Sequence, residues 1–402
     1  MVAGCATFAP MRVAPPAEVY DTAVAGGLPE LRYWGDDLGE HLRLRIQRDV
    51  REALTTRWEN EGSPTAGLEV AMLALSGGGP DGAYGAGLLK GWSERGDRPT
   101  FDLVTGISVG ALIAPFAFAG PAYDHALETI FTELDTRDVA QLQLFRALFG
   151  ALSLARTDPL RRQIERFVDA ELLAVIADGH SDGRILLVGT TNIDAERPVI
   201  WDMGRIAAAG EIELFRDVLL ASASIPGAFP PVGIDVEAQG RRYVEFHVDG
   251  GVTKSVFIGP VRAADALPRD LPFPIRRRVY VVLNNSLVLP YTPVDNRLRA
   301  IVTRSISGLI RAQAEGDIVR IYLAAQDAEA DFFLTFLPLG FQAPSAGAFD
   351  RAYMAALFDT GRELGRAGVD WLDRPPALLG RRTVEGAILR RPRTAVPAAP
   401  ES

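Results

Sequence analysis

The sequence predicts an α/β protein in three layers, a central and mostly parallel sheet covered on both faces by helices. Three observations predict it. Compact apolar runs at Val70–Leu75, Phe101–Thr105, Ile185–Thr190, Tyr243–Val248 and Val279–Leu283 read as buried strands. Helical candidates at Gly87–Glu94, Ala111–Phe118, Pro159–Ile176 and Glu213–Ala221 lie between them, and strands alternating with helices imply a sheet covered on both faces. A hydrophobic share of 48 % in 402 residues is enough for a sizeable core.

The elements fall into three regions. Residues 1–65 read as an N-terminal extension, broken by Pro15, Pro16 and Gly26-Gly27 before a charged helical stretch at Leu38–Trp58. Glu61-Gly62-Ser63-Pro64 marks a boundary, and residues 66–373 form the main domain. Residues 374–402, with Pro375-Pro376 and a run from Pro397 to Ser402, read as a Pro- and Arg-rich tail.

Composition excludes several functions. The formal net charge of −9 argues against a nucleic-acid partner, whose phosphates need clustered Lys and Arg. No stretch reaches the roughly 18 apolar residues of a membrane-spanning helix; the best, Ala111–Ala119, is short and holds Pro115. The single cysteine, Cys5, excludes an internal disulfide or a Cys-based zinc site, and no cluster of metal ligands stands out. Val2-Ala3-Gly4-Cys5 resembles the end of a bacterial lipoprotein leader, but the charged and apolar regions that should precede it are missing. Two readings are open: a trimmed leader, which places the protein in the cell envelope on a lipid at Cys5, or a chance match in a cytoplasmic protein.

The chemistry lies directly after strands, where an α/β sheet builds its sites. Gly106-Ile107-Ser108-Val109-Gly110 is a G-x-S-x-G frame between a strand and a helix, and such a turn holds a serine hydroxyl exposed. Ser76-Gly77-Gly78-Gly79-Pro80-Asp81-Gly82 stands in the same context. Its converging N–H groups could hold the pyrophosphate of a dinucleotide or the oxyanion of an ester under attack. The dinucleotide reading needs an acidic residue at the end of the second strand, and the chain has Asp102 at its start.

Ser108 needs a base. Of the four histidines, His41, His125, His180 and His247, the last is the latest in the chain and the only one in a position suited to a Ser-Asp-His order. It has Asp202, Asp217 or Asp235 as candidate orienting acids. The other candidate is Asp249, in His247-Val248-Asp249-Gly250-Gly251, at the end of a strand and on a turn that glycine makes easy. An ordinary Asp-Gly turn remains open there.

GGGPDGAYGAGLL, GISVG and DGG, in that order, resemble the patatin-like phospholipases; TTNIDAERPVIWDMG and SASIPGAFPPV resemble their bacterial branch. The resemblance spans Val70 to Trp371. It implies the patatin-like three-layer fold and a serine acyl hydrolase of lipid esters that needs no cofactor. It also implies Ser108 as nucleophile, Asp249 as base without histidine, and Gly77, Gly78 and Gly79 as oxyanion hole. Gly82, Gly106, Gly110, Gly250 and Gly251 complete the motifs. Its partners would be a lipid acyl ester, such as a phospholipid, and a membrane surface. One departure is Asp81, where many members carry a basic residue. Two other expectations stand beside it: an esterase with His247 as base, and an inactive lipid-binding protein of the same fold. The segments at Pro115–Phe118 and Phe332–Phe341 read as core, with an acyl pocket as the alternative.

Overall fold

The computed structural model describes residues 12–133, 141–142, 155–156, 158–259, 270–287, 293–338, 341, 343 and 349–379. Cys5, with the leader reading at 2–5, and the tail beyond 379 lie outside the described residues. The strands are β1 (Val24–Ala25), β2 (Arg32–Trp34), β3 (Leu68–Leu75), β4 (Leu103–Ile107), β5 (Gln141–Leu142), β6 (Ala155–Arg156), β7 (Ile185–Asn192), β8 (Arg197–Asp202), β9 (Val232–Ala238), β10 (Arg241–Asp249), β11 (Ile275–Leu283) and β12 (Asp331–Phe336). The helices are α1 (Glu40–Asn60), α2 (Gly82–Arg95), α3 (Val109–Ala119), α4 (Asp124–Glu133), α5 (Asp158–Phe167), α6 (Ala170–Ser181), α7 (Met203–Ala208), α8 (Ile212–Ser222), α9 (Leu298–Asp327) and α10 (Arg351–Ala367).

Ten strands form one mixed sheet in the order β1-β9-β10-β7-β4-β3-β11-β12, with β8 and then β2 attached to β7; β5 and β6 pair separately. The centre, from β7 to β12, is parallel as expected. The flank of β10, β9 and β1 is antiparallel, because a short hairpin rather than a helix joins β9 to β10.

Side chains alternate across each strand, and the two faces fill two cores. Leu73, Leu75, Tyr280 and Val282 pack on one face with α2, α3, α6, α8 and α10. Met72, Ala74, Val279 and Val281 pack on the other with Leu54 of α1 and Ala314, Ile318 and Ile321 of α9. That arrangement is the three-layer α/β/α architecture. Phe332 and Phe336 belong to the second core, as the sequence indicated.

The residues read as an N-terminal extension do not stand apart from the main domain. β1 pairs with β9 and β2 with β8. Trp58 stacks on Phe273 with ring centroids 4.8 Å apart, and Arg57 binds Asp102 at 2.6 Å. Strands of two or three residues show no alternation to read, so only their pairing reveals them. At the other end, Trp371 packs on Trp92 at 5.2 Å and Leu372 bonds to the backbone of Leu334 at 2.9 Å.

Two helical expectations change. The stretch Pro159–Ile176 is two helices, because Asp169 accepts the Leu172 N–H at 2.9 Å and starts α6 anew. α2 begins at Gly82, five residues before the expected Gly87. Its glycines weaken the helical pattern in sequence but let α2 and α10 touch backbone to backbone. A Cβ on Gly87 or Gly91 would overlap the carbonyls of Phe358 or Arg362, and one on Gly361 or Gly365 those of Tyr84 or Leu88. Overpacking of this kind costs about 1–3 kcal/mol. Gly91→Ala and Gly361→Ala are each expected to lose that much in urea unfolding. Gly308→Ala on α9, where a Cβ meets nothing within 4 Å, is expected to be neutral or stabilising; equal losses at all three would contradict this packing.

Candidate active site

Ser108 is the single residue between β4 and α3, and its backbone sits at φ 55°, ψ −125°. A non-glycine residue there carries strain of about 1–3 kcal/mol, so neighbouring groups must hold it. The Ala111 N–H donates to the Ser108 carbonyl at 2.9 Å. The Ser108 N–H donates to Ser222 Oγ at 3.0 Å, and that hydroxyl donates to the Gly189 carbonyl at 2.7 Å. The glycines of the frame are steric: a Cβ on Gly110 would overlap the Leu75 carbonyl, and one on Gly106 the Gly110 carbonyl. Gly82 likewise leaves room for Val109.

Asp249 reaches the same place by a route unlike the expected one. β10 runs antiparallel to β7, so its carboxyl end would ordinarily lie at the far edge of the sheet. Its pairing with β7 spans only His247↔Asn192, Val248↔Thr191 and Asp249↔Thr190. The strand enters from the carboxyl edge of the parallel centre and stops there. Gly250 presses so closely on Gly189 that a Cβ would overlap its carbonyl. The Asp249 N–H donates to the Ser224 carbonyl at 3.0 Å, and Gly251 N–H donates to Asp249 Oδ1 at 2.7 Å.

Ser108 is 6 % exposed and Asp249 5 % exposed. Burial pushes the Asp249 carboxyl up to about 6, against the opposing pull of the Ser108 hydroxyl and of the hydrogen bond from the Gly251 N–H. The end of α8 and the turn after it touch both groups: Ser222, the last residue of the helix, holds Ser108 through its hydroxyl, and Ser224 holds Asp249 through its carbonyl. Both lie in SASIPGAFPPV, which the sequence marked only by resemblance.

The glycine loop is fastened by a pair of asparagines after β11. Asn284 donates from Nδ2 to the Ser76 carbonyl at 2.9 Å and accepts the Gly85 N–H at Oδ1 at 3.1 Å. Asn285 Nδ2 donates to the Gly77 carbonyl at 2.9 Å, and Ser76 Oγ donates to it at 2.7 Å. A trans peptide points its N–H opposite its carbonyl, so fixing the Gly77 carbonyl fixes the direction of the Gly78 N–H. Among the described residues no acceptor pairs with the N–H groups of Gly78 and Gly79. Gly77 differs from the expectation: its N–H donates to the Ser255 carbonyl at 3.2 Å. A Cβ on Gly77 would lie 3.2 Å from that of Ser108, and Gly79 takes φ 58°. Gly77 thus gives clearance, while Gly78 and Gly79 offer donors.

His247 is engaged elsewhere. The ionised Glu245 carboxylate can only accept from His247 Nε2, so Nδ1 is the unprotonated nitrogen and accepts from the Thr190 hydroxyl at 2.9 Å, which itself accepts from Trp201 Nε1–H at 2.8 Å. Nε2 then carries the ring proton and faces Glu245 Oε2 at 3.1 Å. Neither nitrogen is left for Ser108. Burial pushes the His247 pKa down, while Glu245, raised by burial, is brought to about 2 by Arg32 and His247. The candidate acids are occupied too: Asp202 caps α7 through the Arg205 N–H at 3.0 Å, and Asp217 pairs with Arg161 at 2.5 Å. Asp235 lies exposed on β9. Asp102, weighed for a dinucleotide site, binds the Ala71 N–H at 2.7 Å at the opposite end of the strands.

Asp81, found where a basic residue was expected, accepts a hydrogen bond from Tyr353 Oη at 2.7 Å and ties the glycine loop to α10. Burial raises its pKa, and the tyrosine bond opposes that shift. An apolar cavity opens at Ser108, Gly79 and Val109 and runs between Leu112 and Phe116 of α3, Phe131 of α4 and Ile164 of α5. Of the segment Pro115–Phe118, Phe116 lines this cavity, whereas Phe118 is core.

A family described as patatin-like phospholipase matches residues 73–262, the span that holds the glycine loop, Ser108, Ser222 and Asp249. Among solved structures, VipD from Legionella pneumophila is similar at 11 % identity, covering 76 % of this chain and 67 % of that one with a TM-score of 0.29. At that score the likeness carries no argument. No curated protein matches the chain. The chain carries a patatin-like phospholipase domain over residues 73–262, which supports a lipid acyl hydrolase in general terms.

Proposed function

We propose that the protein is a serine acyl hydrolase that cleaves lipid acyl esters, with Ser108 as nucleophile and Asp249 as base. The observation that carries this reading is that the buried Asp249 carboxylate feels the Ser108 hydroxyl, which lowers its pKa against the rise that burial imposes. Asp249 takes the Ser108 proton as the oxygen attacks the ester carbonyl, and the N–H groups of Gly78 and Gly79 receive the oxyanion. The proton passes to the departing alcohol, leaving an acyl-serine. Water, deprotonated by Asp249, attacks that ester and releases the fatty acid.

A carboxylate is a weak base for an alcohol, and two features oppose that weakness. Desolvation raises Asp249 from 3.8 to about 6, worth about 3 kcal/mol of added proton affinity. The N-terminus of α3, starting at Val109, places positive partial charge beside the developing alkoxide. The cavity lined by Leu112, Phe116 and Ile164 suits an acyl chain. Attachment to the cell envelope through a lipid on Cys5 belongs to the same proposal. Mass spectrometry of the N-terminal peptide from the native host is expected to find Cys5 acylated; an unmodified Cys5 would remove that part.

Ser108→Ala and Asp249→Asn are each expected to lower kcat for a nitrophenyl ester and for a phospholipid by at least about 1,000-fold. Near-normal turnover in either variant would rule out the pair. Because the base must be ionised, kcat/KM in the wild type is expected to rise with pH through about 6 and then level off.

Stability has the opposite sign. The folded carboxyl holds its proton more tightly than the unfolded one, so its contribution is fully present below about pH 4 and lost as pH rises through about 6. Asp249→Asn is therefore expected to stabilise the fold at pH 8, by up to about 3 kcal/mol, and far less at pH 4. Urea unfolding at the two pH values measures this, and an effect independent of pH would contradict the shifted carboxyl.

A further inference from the structure

The described side chains lining the cavity behind Ser108 are apolar apart from Ser108 itself and Gln163. Leu160, Gln163, Ile164 and Phe167 of α5 all line it, in the i, i+3, i+4, i+7 spacing of one helix face. An amide thus occupies one place in a stripe that is otherwise hydrocarbon. Its Oε1 is buried and has no hydrogen-bond partner among the described residues. A buried amide oxygen without a partner costs free energy that a leucine at the same place would not.

We propose that Gln163 recognises a hydroxyl on the acyl chain, so that the substrates are esters of hydroxylated fatty acids. This rests on the hydrolase reading of Ser108 and its cavity. The chemistry of the group follows from the amide. Rotation about its last torsion exchanges an acceptor oxygen for a donor NH₂, and a hydroxyl satisfies either. A ketone only accepts. A charged group would be desolvated without a counter-ion, because no charged side chain is among the described lining residues. Ser108 and Gln163 are then two polar points in one apolar cavity, and their separation selects the carbon that bears the hydroxyl.

The test uses nitrophenyl esters of one chain length, unsubstituted or carrying a hydroxyl at successive carbons, which removes any glycerol from the comparison. The wild type is expected to favour one hydroxyl position over the unsubstituted ester by about ten-fold or more in kcat/KM. Q163L is expected to abolish that preference and to cleave the unsubstituted ester at least as fast as the wild type. Q163M, which keeps an unbranched side chain, should do the same, and both should unfold at or above the wild-type temperature. Equal kcat/KM for hydroxylated and unsubstituted esters at every position, or an unchanged ratio in Q163L and Q163M, would overturn the assignment. If no ester of either kind is cleaved in a Ser108-dependent way, the hydrolase reading itself fails, whereas equal cleavage of both removes Gln163 alone.

Discussion

The arrangement depends on keeping the Asp249 carboxylate out of water. It is 5 % exposed, and the groups that act on it are the Ser108 hydroxyl and the Gly251 N–H, with burial as the larger influence. A carboxylate at an exposed strand end would be solvated and far too acidic to draw a proton from an alcohol. Here the strand stops short, its pairing with β7 ends at Thr190, and Gly250 closes against the Gly189 carbonyl. The proposed chemistry and the local instability therefore come from one cause.

The proposed groups arrive from separate parts of the chain, and backbone hydrogen bonds fix them relative to one another. Ser222 and Ser224 hold Ser108 and Asp249 from one side. Asn284 and Asn285 hold the glycine loop from the other. None of these four anchoring groups needs to touch a substrate, yet each restrains a group that would. The strained Ser108 backbone is stable only inside such a frame, and that is the usual compromise between stability and activity.

Much of this was legible in the sequence, for physical reasons. The strands of the parallel centre are buried on both faces and read as unbroken apolar runs, so β3, β4, β7 and β11 were found with small changes at their ends. Glycines forced by close approach, at Gly106, Gly110 and Gly82, carried the motif because no other residue fits there. What was missed is defined by tertiary contacts rather than by local pattern. β1 and β2 are too short to show a pattern, and α9 has no clean apolar stripe. Gly77 looked like a donor, but its N–H is taken by Ser255, a pairing that local sequence does not encode. Counting histidines left His247 open; the network from Trp201 through Thr190 to Glu245 shows where its nitrogens go.

The central claim, that Asp249 activates Ser108, is tested most directly by the rate at which a fluorophosphonate modifies Ser108 as pH is varied, in the wild type and in Asp249→Asn. The wild-type rate is expected to climb through about pH 6 and the variant's to be slow and independent of pH, with the adduct on Ser108 by mass spectrometry. Modification of the variant at the wild-type rate would contradict it, as would a wild-type profile with no rise near that pH.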